Sequence, residues 1–199
     1  MSTSPTEPAA ELDTALAPIR ESLDAADGHE RAVLLRRAGD LCVQMGEPRK
    51  ALGWYGRAVD QYMEMGESAQ AAGVCRQIIH VQPDAVRARC TLAWIALGDQ
   101  KHAEAGRLLS EYVSAALRAG QMELAVQQLG WMFDATRSES TRARIVVGML
   151  KLGATERAEA LAAQFEGPLP ASGDQAREEL WARVLQAAVG VPMARPPAP

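Results

Sequence analysis

Apolar residues recur at helical spacing from near the start of the chain. Leu12, Leu16, Ile19 and Leu23 stand four, three and four residues apart, which places them on one face of an amphipathic helix over Glu11 to Ala26. The same period predicts helices at about 31–45, 48–64, 67–81, 84–97, 100–118, 121–134, 139–152, 154–165 and 174–189. Pro83-Asp84 supplies a stop and restart, Ser138 or Ser140 is the expected N-cap of the helix that follows, and Ser172 or Asp174 that of the last. Glycine punctuates the series. Gly46, Gly98 and Gly153 each follow an apolar residue, where a glycine ends a helix by taking the left-handed conformation, and they are 52 and 55 residues apart. Five residues after each comes an alanine, Ala51, Ala103 and Ala158, and the offset recurs from Gly66 to Ala71 and from Gly120 to Ala125. A small residue at one fixed point per turn-and-helix unit allows close helix contact, so the chain reads as an internal repeat.

Composition agrees with an all-α fold. Of 199 residues 37 are alanine, aromatic residues make up 5%, and β-branched residues are few, which favours packed helices over sheet. The formal charge of −4 argues against a basic field for nucleic acid, and no apolar stretch approaches a membrane span. The charge is unevenly spread. Residues 1–30 carry seven acids against one base, while 31–166 carry fifteen acids against seventeen bases. The opening residues lack the basic and apolar regions of a secretory signal, and Cys42, Cys75 and Cys90 form no CxxC pair, so a cytoplasmic protein with reduced thiols is expected.

Against this frame, Leu35-x2-Ala38-Gly39-x2-Cys42, Gly46 and Ala51-x3-Tyr55-x2-Ala58 resemble the tetratricopeptide repeat, a helix–turn–helix unit with small and aromatic residues at fixed offsets. Gly66, Ala71-x3-Cys75-x2-Ile78 and Pro83 form a second half-match, and weaker copies follow at Trp94, Gly98 and Ala103 and at Met149, Gly153 and Ala158. The resemblance covers residues 31–166. It departs from the family in its glycine intervals, which alternate between about 20 and 32 residues, so the unit counts either two or three helices. It implies a right-handed α-solenoid of helical hairpins with capping helices at both ends. The divisions expected are a disordered tail over 1–10, an acidic amphipathic helix over 11–30, the repeats over 31–166, a linker and capping helix over 167–190, and a proline-rich tail over 191–199.

Enzymatic and metal-binding patterns are missing. His29, His80 and His102 are scattered, no phosphate-cradling loop or nucleophile motif is present, and Cys42 and Cys75 read as small core residues; no catalytic residue, metal or cofactor is assigned. Most aromatic residues, Trp131 and Trp181 among them, read as core. Trp54 is a candidate exception because its neighbour Tyr55 fits the buried slot. The informative charges are arginines, which outnumber lysine 18 to 3. Arg37, Arg89 and Arg144 lie nine residues before Gly46, Gly98 and Gly153, with Arg87 and Arg142 two residues earlier. Stacked equivalent helices would present them as a row suited to carboxylates; the alternative is that they solvate helix faces or pair with acids such as Asp40 and Glu104.

In the tetratricopeptide family the first helix of each unit lines a concave groove that takes peptides or partner helices. The resemblance therefore implies a non-enzymatic scaffold or adaptor of a bacterial complex, which binds an acidic or extended segment of a partner protein through Arg37, Arg87, Arg89, Arg142, Arg144 and Trp54. A regulator acting in trans and a permanent accessory subunit are the alternatives, with self-association open. No nucleic acid or membrane insertion is expected. The acidic segment 1–30 would compete for the groove when no partner is present.

Overall fold

The computed structural model describes residues 7–165 and Val184, and among these all regular structure is helical. The chain divides into two compact units, Met1–Ala88 and Arg89–Pro199. The expected segments 167–190 and 191–199 lie outside the described residues except for Val184, which is helical and fully buried.

The first unit holds α1 (Glu7–Ala25), α2 (Gly28–Gln44), α3 (Pro48–Glu64), α4 (Ser68–Val81) and the start of α5 (Val86–Gly98). Helix α1 begins inside the stretch expected to be disordered and packs against α2, burying Leu12, Leu16 and Leu23. Its free C-terminal carbonyls are met by Arg31, which donates to Leu23 O at 2.7 Å and Ala26 O at 3.4 Å. The acidic helix is thus a cap on α2 in this structure. Helix α3 packs between α2 and α4. Its Tyr55 ring lies so close to α2 that a Cβ on Gly39 would stand 2.5 Å from it, which explains the Ala38-Gly39 pair.

The second unit continues α5 and adds α6 (His102–Arg118), α7 (Met122–Ala135), α8 (Glu139–Lys151) and α9 (Thr155–Ala162). Helix α8 contacts α6, α7 and α9. Ser138 caps α8, its hydroxyl accepting from the Thr141 N–H. Phe133 of α7 meets Phe165 edge to face at 6.5 Å.

Five turns share one geometry. At Gly46 the left-handed residue (φ +75°) donates to Val43 O, and the next residue, Glu47, donates to Cys42 O at 2.8 Å, the paired bonds that satisfy a helix's last carbonyls. Gly66, Gly120 and Gly153 repeat it at φ +73°, +68° and +81°. The fifth case corrects the sequence reading. Gly98 is the last residue of α5, and the left-handed position is Gln100 at φ +58°, with Lys101 donating to Ala96 O at 2.9 Å.

Moving that turn by two residues regularises the repeat. Helices α3 and α6 are each 17 residues, and both boundaries move by 54, from 48 to 102 and from 64 to 118. Helices α4 and α7 are each 14 residues and shift likewise, from 68 to 122 and from 81 to 135. Helix α2 corresponds to α5, so the unit is three helices long. The small residue five positions past the third turn is Ala105, which is fully buried, and not the exposed Ala103. Ala51, Ala71, Ala105, Ala125 and Ala158 are all at most 1% exposed, so the offset marks the tight contact at every turn.

The register has a direct test. Gly98→Ala is expected to stabilise the protein by up to about 1 kcal/mol, since Gly98 is helical with open space around it, and Gln100→Gly to gain about 1 kcal/mol by removing a left-handed side chain. Gly153→Ala is expected to cost a similar amount. Urea melts followed by circular dichroism decide it: a Gly98→Ala variant as damaged as Gly153→Ala returns the turn to residue 98.

Candidate functional site

Each unit carries one face that combines accessible side chains with defined partners. In the first unit it lies on α2 and α4, over a groove of about 550 Å³ that includes Val43, Tyr55, Arg76, His80 and Val81. At its centre Asp40 accepts from the Tyr55 hydroxyl at 2.7 Å and from Gln77 Nε2 at 3.4 Å, with Arg36 Nε 4.0 Å away. Burial, and then the bond to Asp40, raise the Tyr55 phenol above its ordinary value, so it stays a donor. The amide of Gln77 must turn its nitrogen to the carboxylate, which leaves its buried Oε1 without a partner among the described residues. Arg37 and Gln44 lie on the same side of α2 as Asp40, three and four residues away, and Arg76 and His80 are four apart on α4; both arginines are exposed.

In the second unit the register-equivalent positions carry different chemistry. Trp94 stands where α2 has Asp40, and Trp131 where α4 has Gln77. Gln128 lies one turn before Trp131 and accepts from the Trp94 indole N–H at 3.3 Å. Trp131 is 50% exposed and Leu124, two turns earlier, 51%, which corrects the expectation of a core tryptophan. Beside them a groove of about 750 Å³ runs between α7 and the α8–α9 turn, past Met122, Val126, Leu152 and Arg157.

The arginines regroup once the third turn is placed at Gln100. Nine residues before a turn are Arg37 and Arg144, but Thr91 in the middle copy; Arg89 and Arg142 instead share the position eleven before. Arg89 is largely buried and paired with Glu111 at 2.8 Å, and Arg107 closes on the same carboxylate. Arg142 is spent on a helix end. It donates to Thr136 O at 2.7 Å and Phe133 O at 3.3 Å beyond and within the last turn of α7, with its guanidinium 4.8 Å from the Phe133 ring. Arg144 lies over Gly106, where a Cβ would come within 2.6 Å of its side chain. Arg87 pairs with Asp60 in the first unit. Trp54 is half-buried, with the Arg57 guanidinium 5.2 Å over its ring. Arg37, Arg87 and Trp54 therefore belong to one unit and Arg89, Arg142 and Arg144 to the other, so the six do not form one constellation within a unit. Sequence reasoning missed Asp40, Gln77 and Arg76 as members of a face.

Cys42 and Cys75 are core groups, and Cys90 is half-buried. Burial pushes Cys75 up to about 12 and Cys90 to about 11 from an ordinary 9.0, and raises Cys42 as well. Among the described residues no cluster of three or more His, Cys, Asp or Glu could hold a metal, and no helix is long and apolar enough to cross a membrane. No family model matches the chain, and no curated protein matches it significantly.

The raised thiols fix the sign of an alkaline effect. A group whose folded value lies above its unfolded one contributes stability that is complete below the unfolded value and is lost as pH rises through the folded one. The urea midpoint is therefore expected to fall between about pH 8 and about pH 10.5, and less steeply in Cys75→Ala. Equal slopes for the two proteins would remove Cys75 from the account. At the capping position, Arg142→Met is expected to cost about 1–3 kcal/mol in the same melts, against about 0.5 kcal/mol or less for Arg37→Met.

Proposed function

We propose that the protein is a non-enzymatic interaction module of the tetratricopeptide type, which holds a segment of a partner protein on the α2–α4 face. The observation that carries this is a groove that combines apolar side chains, Val43 and Val81, with the exposed cation Arg76, and with Arg37 exposed one turn before Asp40 on α2. Such a surface takes an extended segment with aliphatic side chains and a carboxylate, the guanidinium fork supplying the charge-assisted bonds. The tetratricopeptide reading rests on the small and aromatic positions around Ala38-Gly39 and Tyr55, while the turn intervals alternate between 20 and 33 or 34 residues.

A second reading is a subunit resident in a larger assembly. Leu117, Met122, Leu124 and Trp131, each at least 40% exposed, fall within fifteen residues and favour it. An assembly of either kind would be cytoplasmic on the reading above.

The partner reading is tested by affinity capture from native lysate with quantitative mass spectrometry, using wild type and an Arg37→Glu/Arg76→Glu variant whose circular dichroism is unchanged. One dominant partner lost at least about tenfold from the variant is the expected result. Full retention of that partner would move the site off this face.

A further inference from the structure

Asp40 is the one acid among the described residues that line the α2–α4 groove, which it shares with Arg76 and His80. A bare carboxylate there would draw a cationic ligand, so the preference of the groove turns on how Asp40 is engaged. Its two oxygens offer about four acceptor sites. Oδ1 takes the Tyr55 hydroxyl at 2.7 Å and Gln77 Nε2 at 3.4 Å, one for each lone pair, and Oδ2 has Arg36 Nε 4.0 Å away. One donor from each of α2, α3 and α4 therefore converges on this carboxylate. The charge left for a ligand to meet is the exposed guanidinium of Arg76, with Arg37 exposed one turn before Asp40.

Of the three donors, Tyr55 is the most firmly placed. Its side chain is buried, and its ring lies so close to α2 that a Cβ on Gly39 would stand 2.5 Å from it, so packing and not the carboxylate sets where the hydroxyl goes. The Gln77 bond is long for an N–H donor, and the Arg36 pair is half in water. The frame itself does not need the network. In the second unit the positions equivalent to Asp40, Tyr55 and Gln77 hold Trp94, Leu109 and Trp131, while α6 and α7 keep the lengths of α3 and α4. Phenylalanine at position 55 would keep the buried ring and remove the donor, leaving a vacant lone pair on Oδ1 at the groove, where an ammonium group could pair with it.

Resting on the partner reading above, we infer that the Tyr55 hydroxyl is a specificity-determining group of this groove, which keeps Asp40 occupied so that an anionic segment is accepted and a cationic one refused. The probes are two octapeptides with the same fluorescent label, one alternating valine with glutamate and the other valine with lysine. Their affinities for the full chain are measured by fluorescence anisotropy. The readout is the ratio of the two Kd values in the same protein, since general damage to the groove weakens both peptides together. Wild type is expected to favour the glutamate peptide by about tenfold or more, and Tyr55→Phe to move the ratio about tenfold toward the lysine peptide. Tyr55→Phe/Asp40→Asn, which removes the uncovered charge, is expected to bring the ratio back to the wild-type value or beyond. Circular dichroism verifies that each variant is folded. If Tyr55→Phe does not fold, Gln77→Leu removes the other donor to the same oxygen and is read in the same way. Wild type that favours the glutamate peptide, with an unchanged ratio in Tyr55→Phe, overturns this inference and leaves the partner reading standing. A shifted ratio that Asp40→Asn does not bring back also overturns it, because the shift then comes from elsewhere. Wild type that binds neither peptide, or binds the lysine peptide at least as tightly, overturns the partner reading and this inference with it.

Discussion

The structure hangs on where five of its helices, α2, α3, α5, α6 and α8, are made to stop. A left-handed residue, the two hydrogen bonds it permits to the preceding turn, and an alanine five residues later together fix the exit direction, the entry of the next helix and its closest approach. Because alanine at that point is buried at all five turns, the backbones meet with no side chain to adjust between them. The remaining side chains then occupy slots defined by distance from the turn. This is why a two-residue error at one turn propagates to every assignment that follows in its unit, the alanine and the arginines alike.

Fixed slots with variable contents let one frame carry different chemistry. The slot pair filled by Asp40 and Gln77 in one unit holds Trp94 and Trp131 in the other, and both fit because the slots lie at the edge of the core, where the frame constrains position and not polarity. Arginine shows the same versatility. Arg31 and Arg142 close the open carbonyls at the ends of α1 and α7, Arg89 is held by Glu111, and Arg144 lies across a glycine. A long side chain with a planar head can lie along an apolar surface and still reach a carbonyl or carboxylate beyond it. Arg76 is left exposed on the wall of a groove, and that position, more than the abundance of arginine, separates it from the rest.

Among the described residues the helices, four of the five turns and most of the core were readable from spacing alone. Gly98 misled because a glycine after Leu97 looks like a helix end, while the true left-handed residue is a glutamine, a type that adopts this conformation only against a steric cost. The signal was nonetheless present: Leu92-Ala93-x2-Ala96 followed by Ala105 reproduces the spacing of Ala38-Gly39-x2-Cys42 followed by Ala51. The roles of Arg89 and Arg142 were not readable. Their partners, Glu111 and the carbonyls of Phe133 and Thr136, are set by how neighbouring helices pack, and a regular spacing of arginines along the sequence says nothing of what lies across from each. Trp131 was assigned to the core on residue type, where its helical position, opposite the buried Leu129, Met132 and Phe133 side, would have placed it outside.

That last residue shows how an internal repeat can separate structural from functional demand without any relative for comparison. A side chain required by the frame should reappear, in kind, at the equivalent slot of the other copy, as the buried alanines do. One that changes from amide to indole while the helix keeps its length and its ends is answering to something other than the frame. Between the copies Asp40 and Gln77 give way to Trp94 and Trp131, and buried slots exchange contents as well, Tyr55 for Leu109 and Ala58 for Tyr112, while the turn alanines are kept. The two faces differ in charge as well as polarity, so a single kind of partner would satisfy one and leave the other uncovered.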